Sequence, residues 1–159
     1  MNNRFVLTFG LLLAVFLSAC NKPKETLVMT AKVNGVDVSY NVPGYALKSV
    51  FQYDDGTIAY NRYIINGLDG IKGGVFFRVI DSTASRTCFS LEDFQRVYYK
   101  DGMGKTCQAI DANLEITKEE SDLLCGRFNM LALNNAGDSI IVSEGFFELS
   151  LEVYEIELQ

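Results

Sequence analysis

The chain has 159 residues, with 20 acidic against 14 basic side chains and neither histidine nor tryptophan. Its net charge of −6 argues against nucleic acid or anionic lipid as the partner. The missing histidine removes the usual base for a serine nucleophile and a common zinc ligand.

The first element is MNNR followed by an apolar run from Phe5 to Leu17. At about 1.5 Å per residue this run spans about 20 Å as a helix, well short of a bilayer core of about 30 Å. A positive tip, a short apolar stretch and small residues at its end are the layout of a secretory signal, here 1–19. Leu17-Ser18-Ala19-Cys20 resembles the lipobox of bacterial lipoprotein signals. The resemblance implies that Cys20 is acylated and opens the mature chain, with Leu17, Ser18 and Ala19 as recognition positions. Stable anchoring takes more than one acyl chain. A multiply acylated cysteine, palmitate among its chains, meets that need.

Residues 20–26 then form the acylated end and a polar tether, whose NKPKET reaches about 20 Å when extended. The domain is therefore expected close to its membrane. Nothing later reads as an interdomain linker, so 27–159 is one domain, long enough to bury a core.

That domain reads as strands and turns. Leu27–Val33 and Val36–Tyr40 flank Asn34-Gly35, a strong hairpin signal. Ala46–Tyr53, Thr57–Ile65 and Gly74–Ile80 follow, separated by Asp-Gly and Asn-Gly pairs. Residues 81–113 are the least regular, with short strands expected near 87–91, 96–100 and 105–109. Leu114–Thr117 precedes the polar KEESD turn. In the last third Gly126, Phe128, Met130 and Ala132 share a face, and Asn134–Asp138 is a turn. Phe147, Leu149, Leu151 and Val153 then alternate with Glu148, Ser150 and Glu152 at period 2. The phase slips at Val153-Tyr154, which predicts a bulge or a strand break there. Three strands begin Gly-x-Phe (Gly74/Phe76, Gly126/Phe128, Gly145/Phe147), as expected where glycine eases close strand approach and phenylalanine fills the core. Short strands without long helical patterns predict an all-β, antiparallel sandwich or barrel.

With Cys20 acylated, Cys88, Cys107 and Cys125 remain, an odd number in an oxidising compartment. One disulfide is expected, preferentially Cys88–Cys107, because Lys100-Asp101-Gly102 can fold its flanks together. All three pairings stay open on sequence. The spacing fits no zinc site. GMGKT at 102–106 has Tyr99 where a phosphate loop needs glycine. GDSI at 137–140 lacks the histidine of a hydrolase block. The Asp-Gly pairs at 55–56, 69–70 and 101–102 are turns before they are calcium ligands. Tyr53, Tyr60, Tyr63, Tyr98 and Tyr99 are the candidate ligand face, since tyrosine offers contact area plus a hydroxyl.

The chain further resembles small envelope lipoproteins of Bacteroidetes. The resemblance rests on the lipobox, Met29–Val33 before Asn34-Gly35, Gly126-Arg127-Phe128, the turn ending Gly137-Asp138, and Val142-Ser143-Glu144-Gly145-Phe146-Phe147. It implies a β-rich protein anchored to the outer membrane through acylated Cys20, and carries over no catalytic residue, cofactor or metal. Surface-exposed members typically bear an acidic cluster after the cysteine. Here Lys22 and Lys24 outnumber Glu25, which favours the periplasmic face. The expected role is a non-enzymatic module binding a small ligand or a protein. The alternatives are an acidic inhibitor or immunity-type protein that meets a basic toxin or enzyme, and a hydrolase working through two carboxylates.

Overall fold

The computed structural model describes residues 28–40, 44–68 and 73–158. The signal 1–19, Cys20 with its tether, and the Asp69-Gly70 turn lie outside the described residues. The described chain is nearly all strand. Its strands are β1 Val28–Val33, β2 Val36–Tyr40, β3 Tyr45–Gln52, β4 Ile58–Asn66, β5 Gly74–Asp81 and β6 Cys88–Ser90. They continue with β7 Phe94–Lys100, β8 Thr106–Glu119, β9 Leu123–Leu133 and β10 Ser139–Glu157, with one 3-10 turn at Leu91–Asp93.

The first hairpin forms where Asn34 and Gly35 both take positive φ (50° and 81°), the primed turn that matches strand twist. Asn34 also ties this turn to β10: its Oδ1 accepts from the Ile141 amide at 2.8 Å, and its own amide donates to the Ile141 carbonyl.

Strand pairing closes on itself. β3, β4, β5, β7, β8, β9 and β10 pair in that order, and β10 returns to β3. All contacts are antiparallel except β10 with β3, where 150–157 run parallel to 45–52. Closure pairs most edges, although β8 meets β7 only over Thr106–Gln108 and keeps a partly free edge beyond. The ring completes because β10 is long. One edge of it pairs with β9 through Ser139–Ser150, and the other pairs first with β1 and then with β3. β2 hangs on β1, and β6 covers part of the free edge of β8.

The ring is filled by side chains. Phe77, Phe147, Ile65, Leu114, Leu124 and Leu149 are among the largest fully buried groups. Two of the Gly-x-Phe starts interlock across β9 and β10. Gly126 lies opposite Phe147, and Phe128 lies opposite Gly145. A Cβ at Gly126 would stand 2.4 Å from the Phe147 ring, and one at Gly145 2.5 Å from the Phe128 ring. Each glycine thus makes room for the other strand's phenylalanine.

Two sequence expectations need correction. No bulge or break occurs at Val153-Tyr154, since 150–157 pair with β3 in unbroken register. The slip in pattern reflects exposure: beyond Leu151 the strand leaves the core, and Val153 and Tyr154 are 48% and 52% exposed. The bulge of β10 lies earlier, between Val142 and Gly145, with Glu144 at φ 51°. Likewise 105–109 and 114–117 are not separate strands. They belong to β8, whose phase is broken by irregularities at 109/111 and 116/118.

Candidate functional site

A wide concavity on the barrel's outer side, about 910 Å³, lies across β6, β8, β9 and β10. Strand register builds it. Cys88 faces Glu115, Glu115 faces Arg127, and Arg127 faces Phe146. One step along, Ser90 faces Asn113 and Asn113 faces Asn129, whose amides are joined at 3.2 Å. Period-2 alternation sends all these side chains outward while Phe89, Leu114 and Phe128 fill the interior.

Two devices shape the walls. The β10 bulge turns Glu144 toward Lys32 of β1, which it meets at 2.7 Å. On the other side Arg86 grips Asp93 with both guanidinium nitrogens at 2.6 and 2.7 Å, and stands 5.4 Å from the Phe89 ring. Asp93 also accepts from the Ser90 amide. Arg86, first, and then Ser90 hold the Asp93 carboxyl below the usual range, while Arg86 is raised by the same bond. Buried Asp81 fixes the approach to this wall by accepting from Thr83 and from the Arg86 amide.

Between the walls, Glu115 and Arg127 are exposed and directly opposed. Among the described residues their side chains make no hydrogen bond or ion pair with each other or with a third group. The groove therefore presents a free acceptor, a forked donor, two amides and one ring edge. Among the described residues, no group of three or more cysteine, aspartate and glutamate side chains is arranged to hold a metal ion.

A smaller recess of about 270 Å³ sits at one end of the ring. There Lys48 pairs with Glu119, and the Tyr63 hydroxyl donates to Glu119 Oε2 at 2.9 Å. Burial, and then the neighbouring carboxylate, push the Tyr63 hydroxyl well above its ordinary range.

The five candidate tyrosines do not share a face. Tyr63 and Tyr99 point into the ring and are 3% and 6% exposed. Tyr60 and Tyr98 point outward, stacked on Phe51 and Phe76 at 4.3 and 5.0 Å. Tyr53 stands on a hairpin tip, 54% exposed. Alternation alone separates neighbours such as Tyr98 and Tyr99. The expected Cys88–Cys107 bridge is also absent: neither Cys88 nor Cys107 is in a disulfide. Cys107 faces Tyr99 whereas Cys88 faces Glu115, eight residues further along β8. At about 3.3 Å per residue that is roughly 26 Å. Cys107 moreover points inward, while Cys88 is exposed.

Comparison with protein-family models, curated proteins and solved structures finds no match. The groove must therefore be read from its own chemistry. Reasoning from sequence missed Glu115 and Arg127, and their neighbours Asn113 and Asn129. The one signal available was the polar positions alternating with the Leu114–Ile116 and Phe128–Met130 core pairs, the wet side of two strands.

Proposed function

We propose that the chain is a lipid-anchored bacterial envelope protein, a non-enzymatic module that takes a ligand or a partner protein into the groove across β6, β8, β9 and β10. The observation that carries this reading is the Glu115–Arg127 pair. Two opposite charges face each other across adjacent strands on the floor of an open groove, yet neither is spent on a partner among the described residues. Exposed charges aligned with amides and a ring edge suit recognition of a polar group, with Arg127 supplying a two-pronged donor and Glu115 an acceptor. The lipobox-like LSAC, the short tether and the likeness to Bacteroidetes envelope lipoproteins support an outer-membrane location with the domain on the periplasmic face.

The test compares capture from envelope extract by the mature chain and by its Glu115→Ala/Arg127→Ala variant. A molecule held by the first and lost by the second is the expected result. Identical capture profiles would sink the groove as the binding site. Separately, Cys20→Ala should move the protein from the membrane fraction to the soluble one. Continued partition with membranes would count against the anchor.

A further inference from the structure

The charge of this chain is unevenly placed. β3, β4, β5 and β7 are consecutive neighbours in the ring. They contain no glutamate, and their one aspartate, Asp81, is fully buried. Yet the outward positions of β4, β5 and β7 carry Arg62, Arg78, Arg96 and Lys100. In a chain with 20 acids, the outward charges on these four of the ring's seven strands are all cationic.

The arginines are held in place but not neutralised. Arg62 lies 5.0 Å from the Phe51 ring, and Arg96 lies 5.0 Å from the Tyr98 ring. Arg78 and Arg96 oppose each other directly, a like-charge pairing that destabilises a sheet unless an anion intervenes. The Nε atoms of Arg62 and Arg78 are buried with no hydrogen-bond partner. At one border of the face Tyr45 and Tyr154 are 40% and 52% exposed.

The described chain begins beside this face. Val28, the first residue of β1, pairs with Glu148. On the same edge of β10, two residues on, Ser150 pairs with Tyr45. Seven residues lie between Cys20 and Val28 in the sequence, so eight steps of extended chain span at most about 29 Å.

We infer that this arginine face docks on the anionic headgroups of the membrane that anchors the chain. The inference rests on the lipid-anchor reading above. Basic side chains at an anionic surface are attracted within a Debye length, and tyrosines suit the headgroup depth. The acidic remainder is repelled, which makes the docking oriented. The groove, on β8, β9 and β10 across the ring, then faces away from the lipid.

The probe is residues 20–159 carrying Cys20→Ala, without acyl chains, sedimented with two kinds of vesicle. One is pure phosphatidylcholine and the other contains roughly 30% phosphatidylglycerol. Binding to the anionic vesicles alone, falling as salt rises, is expected. Arg62→Gln/Arg78→Gln/Arg96→Gln should weaken it on the order of a hundredfold, at about fivefold per basic group. The corresponding triple lysine variant should retain it, and Lys118→Gln, off this face, should leave it unchanged. Thermal melts check folding. If the triple glutamine variant is unfolded, Arg96→Gln and the salt series decide. No binding to anionic vesicles, or equal binding by a folded triple glutamine variant, would overturn the inference. So would binding to soluble heparin without binding to vesicles. Mass spectrometry of Cys20 in the native protein tests acylation independently, so the anchor and the face can fail separately.

Discussion

Gly126 and Phe147 form one half of a reciprocal fit, and that fit makes a sharp claim about a single methyl group. Gly126→Ala places a Cβ 2.4 Å from the Phe147 ring and the same distance from the Glu115 carbonyl. Overpacking of this kind costs about 1–3 kcal/mol. We expect a melting temperature lower by several degrees, with partial recovery in Gly126→Ala/Phe147→Leu; an unchanged melt would refute the fit. Asp93 makes a claim about pH. Its folded pKa is depressed by Arg86 and Ser90. Its stabilising contribution is therefore complete above the ordinary carboxylate value near ~3.9 and is lost as pH falls through the lower folded value. The stability difference between wild type and Asp93→Asn should shrink from pH 6 toward pH 3, as read by denaturant melts. A constant difference would show that the Arg86 contact is not what depresses the carboxyl.

At the scale of elements, β8 and β10 explain both what the sequence reveals and what it hides. Asn34-Gly35 and the alternation Phe147-Leu149-Leu151 are local signals, and the strands they predict are present. The length of β8 is not local. Its irregularities at 109/111 and 116/118 shift the alternation, so one 14-residue strand reads as two short ones. The groove is hidden for a related reason. Cys88, Glu115, Arg127 and Phe146 come from four strands, and only register across 58 residues of chain brings them into one row. The tyrosine face misled because type and proximity in sequence say nothing of side: adjacent residues on a strand point apart. β8 also carries a testable statement about thiols. Cys88 is exposed while Cys107 and Cys125 are buried. Brief alkylation of the folded protein should label Cys88 and spare the other two until denaturant is added, as read by peptide mass spectrometry. Early labelling of Cys107 would contradict its place in the core.

For the whole molecule, charge is sorted by side of the ring. The net charge of −6 describes an average that no one face possesses. β4, β5 and β7 turn cations outward, while β8 and β9 with the turn between them hold Glu115, Glu119, Glu120 and Asp122. An overall negative charge thus excludes an anionic partner only for a molecule whose charge is uniform. The parallel pairing of β10 with β3 has a consequence for the making of the protein. A chain emerging from its N-terminus exposes the edge of β3 from residue 45 onward, and the strand that covers it ends at Glu157. The first half of the barrel is therefore an unfinished sheet for most of synthesis, sticky at its margin and unable to lock. Until β10 is made, the seam between β3 and β10 stays open, and the ring completes itself only when that strand arrives.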